Sequence, residues 1–149
     1  MIKVRVETID SNETEEIVIK CHEINAEVLE IMKKLQVNDS RPTSLVGTKD
    51  EQIYTIKLKD ILYIEATENK TFIYCANDFF ESKLKLYEIE ELLRGTPFFR
   101  CSKSMILHAS KINYVSPAFN GRFEARMIND ERIIISRQYV PELKKILGI

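Results

Sequence analysis

Residues 98–108 read FFRCSKSMILH and place a short polar, basic segment between two apolar ones. Phe99 and Ile106 are the apolar anchors on either side of Ser102-Lys103-Ser104. A loop held in this way would present hydroxyl and ammonium donors at a fixed distance from the protein core. Such donors suit phosphate oxygens and the acceptor atoms of bases, although composition alone equally allows a solvated turn.

A second stretch, IIISRQY at residues 133–139, ends an apolar strand abruptly in Ser-Arg-Gln. Arginine at a rigid strand end is well placed for bidentate contact with guanine O6 and N7. Arg137 is therefore a candidate base-reading residue, with an ordinary exposed arginine as the alternative. A third polar stretch, residues 65–71, connects two predicted strands and has the composition of a hairpin loop.

Alternation of apolar residues with period 2 predicts strands through most of residues 45–149. Asn77-Asp78, Asn120-Gly121 and Asn129-Asp130 predict the turns, and both central residues of a type I′ turn favour positive φ. Two short helices interrupt the strands. One runs from about Leu86 to Arg94, and the other follows Tyr139 with Pro141 near its first turn.

The N-terminal part has a different pattern. Residues 2–7 and 16–21 predict two short strands joined by a turn at residues 10–12. A helix follows, with an apolar stripe and charged residues on its other face. The stripe consists of Ile24, Val28, Ile31, Met32 and Leu35. We therefore expect a strand-strand-helix extension over residues 1–36, a polar linker over 37–44 and a mostly β domain over 45–149.

Charge is distributed unevenly over the 149 residues. The formal net charge is −1, yet residues 100–149 hold nine Lys and Arg against four Asp and Glu, a net of +5. Residues 1–45 hold six against nine, a net of −3. Because binding depends on the local potential, the C-terminal part is the candidate for an anionic partner.

No catalytic or metal-binding motif emerges from the sequence. Cys21-His22 and the pair Cys101 and His108 lack the spacing of a zinc site, and there is no phosphate-binding glycine motif. No aliphatic run is longer than the three residues of Ile133–Ile135, and no signal peptide is recognisable. We expect free thiols, a cytoplasmic location, and no enzyme activity, cofactor, metal or small-molecule substrate.

The ordered set of motifs from about Leu45 to Leu147 resembles the LytTR DNA-binding family. The strand Ile61–Glu65 is similar to the family's I-x-Y-I-E, and a short helix precedes Phe98-Phe99-Arg100. The remaining matches are Ser104, Lys111-Ile112, Ile135-Ser136-Arg137 and the helix with Leu143-Lys144-Lys145. The resemblance implies a fold built almost wholly of strands, whose loops enter the major groove on two successive turns from one face of the DNA.

The resemblance also implies the binding residues. The family's DNA-reading positions align with Thr71, Lys103 and Arg137, and the neighbours of Thr71 and Lys103 are further candidates. These neighbours are Asn69, Lys70, Arg100, Ser102 and Ser104, and Lys111 is one more candidate. Of these, Arg100, Ser102, Ser104 and Lys111 would support the loop or touch the DNA backbone. Ser102 and His108 depart from the family, which usually has His and Asn there.

The upstream segment is similar to that of stand-alone regulators of Gram-positive bacteria, which are often encoded beside a small membrane protein that restrains them. The predicted function is sequence-specific binding of double-stranded DNA at promoter repeats by a transcription regulator. A protein-interaction module with a degenerate DNA face is one alternative. An RNA-binding sheet that stacks bases on Tyr63, Phe72 and Tyr74 is another. We also expect a homodimer joined through residues 1–36, because a strand pair with one helix buries too little surface alone.

Overall fold

The computed structural model describes residues 3–36 and 42–149. The chain divides into two compact units, Met1–Ser40 and Arg41–Ile149. The first unit contains the helix α1, Ala26–Gln36. The side chain of Asn25 caps this helix, because its Oδ1 accepts a hydrogen bond from the amide of Val28 at 3.0 Å. The predicted helix is confirmed, except that Ile24 of the apolar stripe lies just before it.

The two strands expected before α1 are wrong for the residues that the structure describes there. Residues 3–25 contain no strand, although the predicted turn forms, with the amide of Glu13 donating to the carbonyl of Asp10 at 3.0 Å. A lone two-stranded hairpin is marginal in water without a third strand or a core to cover its apolar face. Val4 and Ile17 accordingly remain 90% and 73% exposed.

The predicted linker over 37–44 falls mostly outside the described residues. Pro42 and Thr43 have no regular structure, and the first strand begins at Ser44. This start lies one residue before the expected domain boundary.

The second unit is mostly β, as predicted. Its larger sheet has seven strands in the order β2-β1-β5-β4-β3-β7-β6, and every neighbouring pair is antiparallel. The strands are β1 Ser44–Lys49, β2 Gln52–Lys57, β3 Ile61–Thr67, β4 Lys70–Cys75, β5 Phe79–Ser82, β6 Phe98–Ser102 and β7 Met105–His108.

The smaller sheet has three antiparallel strands in the order β10-β9-β8. They are β8 Ile112–Pro117, β9 Phe123–Met127 and β10 Arg132–Ile135. The two predicted helices are present as α2 Leu86–Leu92 and α3 Val140–Leu147. Among the described residues, no helix is both long and apolar enough to cross a membrane.

Two hydrophobic cores fix these layers, because alternate side chains of the larger sheet point to opposite faces. The first core joins β1–β7 to α2, and it includes Ile64, Ile73 and Ile89, all fully buried. The second joins β3, β6 and β7 to the smaller sheet and α3. Its fully buried members include Leu107, Met127, Ile135 and Leu143. Strand β3 supplies residues to both cores.

Tight turns with positive φ close several hairpins. Asn120 and Gly121 have φ of 62° and 74°, as their residue types predict. Asp50-Glu51 and Glu68-Asn69 also have positive φ at both positions without any glycine. All three cysteines are free: Cys21 is exposed, Cys75 is half-buried and Cys101 is buried. Burial raises the pKa of the Cys101 thiol to about 12, which keeps it protonated and unreactive.

Candidate nucleic-acid interface

The β6–β7 turn carries the Ser-Lys-Ser segment. Ser102 pairs with Met105 across the hairpin, so Lys103 and Ser104 form its exposed tip. The amide of Ser104 donates to Ser102 Oγ at 3.2 Å, and the two serine hydroxyl oxygens lie 3.5 Å apart. The tip therefore has a defined backbone, with hydroxyl groups and one ammonium group directed to solvent.

Arg100 supports this turn from within the protein. Its Nε donates to the carbonyl of Ser102 at 2.8 Å, and another guanidinium nitrogen donates to the carbonyl of Lys103. The remaining terminal nitrogen binds the carboxylate of Glu90 on α2. The Arg100 side chain is only 19% exposed. Of the two roles expected for Arg100, the structure thus shows the supporting one.

The β3–β4 hairpin lies next to the Ser-Lys-Ser turn. A backbone hydrogen bond of 2.8 Å from the amide of Ala66 to the carbonyl of Ser104 joins them. Glu68 and Asn69 form the two-residue turn of this hairpin, and Asn69 and Lys70 are exposed.

Thr71 does not lie in that loop, which corrects its expected position. It belongs to β4, pairs with Ser82 of β5 and is only 6% exposed. The reason is that the Glu68-Asn69 turn is tight, so that β4 begins at Lys70. Little of the Thr71 side chain is left for a ligand, and Asn69 and Lys70 hold the exposed positions.

Arg137 approaches the same turn from the smaller sheet. The amide of Ser136 donates to the carbonyl of Cys101 at 2.9 Å, which fixes the end of β10 beside β6. Arg137 follows, exposed, in a short 3-10 turn that leads into α3. Across residues 3–36 and 42–149, no carboxylate forms a salt bridge with its guanidinium.

The Asn120-Gly121 turn supports the stem of Arg137. A methyl group added at Gly121 would lie 2.9 Å from Cδ of Arg137, and the φ of Gly121 is 74°. Only glycine fits both conditions without strain. The exposed Arg122 comes next, a cation that the sequence motifs did not single out. The turn signal itself was visible, but its contact with Arg137 depends on the tertiary fold.

These segments form one edge of the domain, which we call the basic edge. It consists of Asn69, Lys70, Ser102, Lys103, Ser104, Arg122 and Arg137. Four cations, three of them predicted, stand among hydroxyl and amide groups on four neighbouring segments. Such a surface can neutralise phosphates and donate hydrogen bonds to base edges.

Lys111 is not brought to the basic edge. It follows β7 at the end opposite the Ser-Lys-Ser turn, where the amide of Ala109 donates to the carbonyl of Pro97 at 2.9 Å. The four residues of β7 alone separate the two ends by roughly 10 Å.

His108 is a core residue. Its ring stacks on Phe98 with centroids 4.2 Å apart, and its Nδ1 donates to the carbonyl of Ile61 at 2.7 Å. Burial lowers the pKa of His108, which favours the neutral ring. Although it departs from the family's usual residue, His108 contributes to packing and not to the basic edge. No group of three His, Cys, Asp or Glu side chains able to hold a metal occurs in the described part of the chain.

The aromatic residues of the RNA alternative contact one another. Tyr63 stacks on Tyr74 with ring centroids 4.6 Å apart, and its hydroxyl donates to Glu131 Oε2 at 2.8 Å. The pKa of the Tyr63 hydroxyl is raised, mainly by burial and secondly by this hydrogen bond to Glu131. Phe72 lies 6.4 Å from Tyr74. With Tyr63 buried and the rings packed together, these residues resemble a core extension more than a base-stacking platform.

Comparison with known proteins identifies the domain. The family model described as "LytTr DNA-binding domain" matches residues 51–148. A solved LytTr DNA-binding domain from Bacillus cereus superposes with a TM-score of 0.68 at 26% identity, covering 72% of this chain and 99% of that one. This family is a non-enzymatic DNA-binding fold, so the expectation that the domain is not an enzyme is confirmed.

Curated relatives match over the same region. The transcriptional regulatory protein YpdB of Escherichia coli K12 is 31% identical over 102 residues, which is 68% of this chain and 42% of that protein. The sensory transduction protein LytT of Enterococcus faecalis is 29% identical over 100 residues, 67% of this chain and 41% of its own length. The chain thus spans less than half the length of these relatives. From the match over residues 51–148 and the shared fold, the chain belongs to the LytTr DNA-binding domain family.

Proposed function

We propose that this chain is a transcription regulator that binds specific sequences in double-stranded DNA through its basic edge. The observation that carries the proposal is the convergence of three segments through two backbone hydrogen bonds. Ala66 binds Ser104, and Ser136 binds Cys101. Cations and hydroxyl groups from distant parts of the sequence are thereby held on rigid strand ends, which limits the entropy cost of binding.

The main contacts are assigned by chemistry. Arg137 carries a planar guanidinium with five donors, which fits guanine O6 and N7 in the major groove. Lys103 at the hairpin tip contacts a phosphate or a base acceptor, and Lys70 and Arg122 contact the DNA backbone. Asn69, Ser102 and Ser104 supply shorter polar contacts. The narrow tips of the two hairpins suit insertion into the major groove, and we place the binding sites at promoter repeats.

Replacing Lys103 by alanine is expected to weaken DNA binding. The probe is a duplex that the full chain enriches from a random library, compared with a shuffled duplex of equal composition. If Lys103 contacts only phosphate, affinity falls similarly on both duplexes, and the slope of log affinity against log salt decreases by about one. A larger loss on the enriched duplex shows that Lys103 also reads a base.

Lys59→Ala is the matched control for charge. Lys59 is exposed beside the start of β3, at the end opposite the β3–β4 turn. Equal losses for Lys59→Ala and Lys103→Ala would mean that net charge, and not the basic edge, determines binding.

The two alternatives predict different binding in the same titration. A protein-interaction module with a degenerate DNA face would bind neither duplex. An RNA-binding sheet would prefer single-stranded RNA of the same sequence over the duplex. Repeating each titration at two salt concentrations separates specific contacts from the electrostatic background.

We also propose that the chain forms a homodimer through its N-terminal unit. Val28 of this unit is buried, but many of its other apolar side chains are poorly covered: Leu29 is 55% exposed, Leu35 is 41% exposed and Met32 is 36% exposed. A net charge of −3 over residues 1–45 favours a protein contact over a DNA contact. A symmetric dimer would also place two DNA-binding domains on neighbouring repeats and raise affinity through effective concentration.

Sedimentation of the full chain tests the dimer. We expect twice the mass of one chain, reduced to the monomer mass by Met32→Glu, because a carboxylate in an apolar interface remains unpaired. Lys33→Glu, on the charged side of α1, should leave the dimer intact. A monomeric wild-type chain would rule out the dimer and leave this segment to a different partner, such as the small membrane protein that the family resemblance implies.

A further inference from the structure

The guanidinium of Arg100 connects two elements that are distant in sequence. On one side it donates to the carbonyls of Ser102 and Lys103 in the β6–β7 turn. On the other side it binds Glu90, which is on α2 and outside the basic edge. All three guanidinium nitrogens are thus engaged within the protein.

The consequence for the turn is geometric. Two successive carbonyls at the tip are held by one planar group, so the direction of the backbone at Lys103 depends on the position of Arg100. That position depends in turn on Glu90, because without its carboxylate the long arginine side chain gains rotamer freedom. With only 19% of the side chain exposed, Arg100 is not free to bind DNA itself.

We propose that Glu90 is a positioning residue for DNA recognition, which holds Arg100 in place and thereby sets the orientation of Lys103. The proposal rests on the DNA-binding role of the basic edge, and it adds a residue that does not touch the DNA. It assigns α2 a function in recognition besides packing on the first core.

The direction in which DNA affinity changes when Glu90 is removed distinguishes a positioning role from simple charge repulsion. DNA phosphates are repelled by a carboxylate near the binding surface, so on charge alone the loss of Glu90 increases affinity. Positioning predicts the opposite, a loss of affinity when the same negative charge is removed.

The neighbouring residue provides the matched control. Glu91 is on the same helix and forms a salt bridge of 2.7 Å with Arg94, both groups being well exposed. Glu91→Ala therefore removes the same charge and one ion pair without disturbing Arg100. Glu90→Gln keeps an acceptor oxygen for the guanidinium and serves as the conservative variant.

The experiment measures binding of the full chain to the enriched duplex described above. We expect Glu90→Ala to lose about three- to fivefold in affinity, Glu90→Gln to lose less, and Glu91→Ala to bind as tightly as wild type or slightly tighter. In the Lys103→Ala background, Glu90→Ala should cost almost nothing, since it acts through Lys103. An equal cost in both backgrounds, or equal affinities for the two Glu→Ala variants, would overturn the proposal.

Amide hydrogen exchange without DNA makes the outcome independent of the proposed function. Glu90→Ala should speed exchange of the Ser104 amide, while Glu91→Ala should not. Unchanged exchange in Glu90→Ala overturns the role of Glu90. Faster exchange together with unaltered DNA binding by Lys103→Ala overturns the assigned role of Lys103 instead.

Discussion

Arg137→Ala is expected to weaken binding to the enriched duplex by about 1–3 kcal/mol and to relax sequence preference. The side chain is exposed just after a strand with one buried face, and no salt bridge within the described residues neutralises it. Its stem lies over Gly121, so the guanidinium reaches outward from a fixed base. Because alanine has no group that reaches a base edge from this position, the truncated side chain cannot restore the hydrogen bonds.

The control for this prediction is Arg132→Ala. Arg132 begins the same strand, β10, and forms a surface salt bridge of 3.1 Å with Glu124. Its removal changes the net charge equally, but at the opposite end of the strand, and should cost only a small, salt-dependent part of the affinity. Unaltered affinity and sequence preference in Arg137→Ala would contradict the assignment of Arg137 as a base-reading residue.

Much of the domain follows from patterns that are local in sequence. The strands with period 2, the turn at Asn120-Gly121 and the two short helices were all predicted from residue type and spacing. Arg137 and the Ser-Lys-Ser turn were also found in this way, because each lies directly beside an apolar strand that fixes its position.

Other features escaped local patterns for identifiable physical reasons. The turn at Glu68-Asn69 adopts positive φ at both positions without glycine, so its tightness has no sequence signal and Thr71 is expected in a loop instead of in β4. The strands expected before α1 satisfy the alternation rule, but residues 3–25 form no strand and α1 is the only regular element in the described part of that unit. Alternation predicts which face of a strand would be buried, not whether a partner exists to bury it.

Long-range contacts were the least predictable. The pairing of Arg100 with Glu90, ten residues earlier in the chain, requires α2 to pack beside β6. The contact of Ala66 with Ser104 likewise requires the strand order of the larger sheet. Composition identified the cations, whereas topology determined that Lys111 lies apart from the basic edge and that Arg122 belongs to it.

The second large effect concerns β10, the strand that precedes Arg137. Ile135→Ala is expected to lower the free energy of unfolding by about 2–5 kcal/mol, because Ile135 is fully buried in the second core and its truncation leaves a cavity. Ile134→Ala makes the same chemical change one residue earlier. Successive strand residues point to opposite faces, and Ile134 is 47% exposed, so its cost should remain below about 1 kcal/mol.

Urea denaturation of the full chain measures both variants. The midpoint should fall markedly for Ile135→Ala with an unchanged slope, and only slightly for Ile134→Ala. At urea concentrations below its own unfolding transition, the Ile135→Ala protein should still bind the enriched duplex, since Ser136 remains hydrogen-bonded to Cys101. Equal midpoints would mean that β10 does not depend on the second core. The proposed recognition of DNA sequence requires Arg137 to be held in a fixed position, and this position would then lack its physical basis.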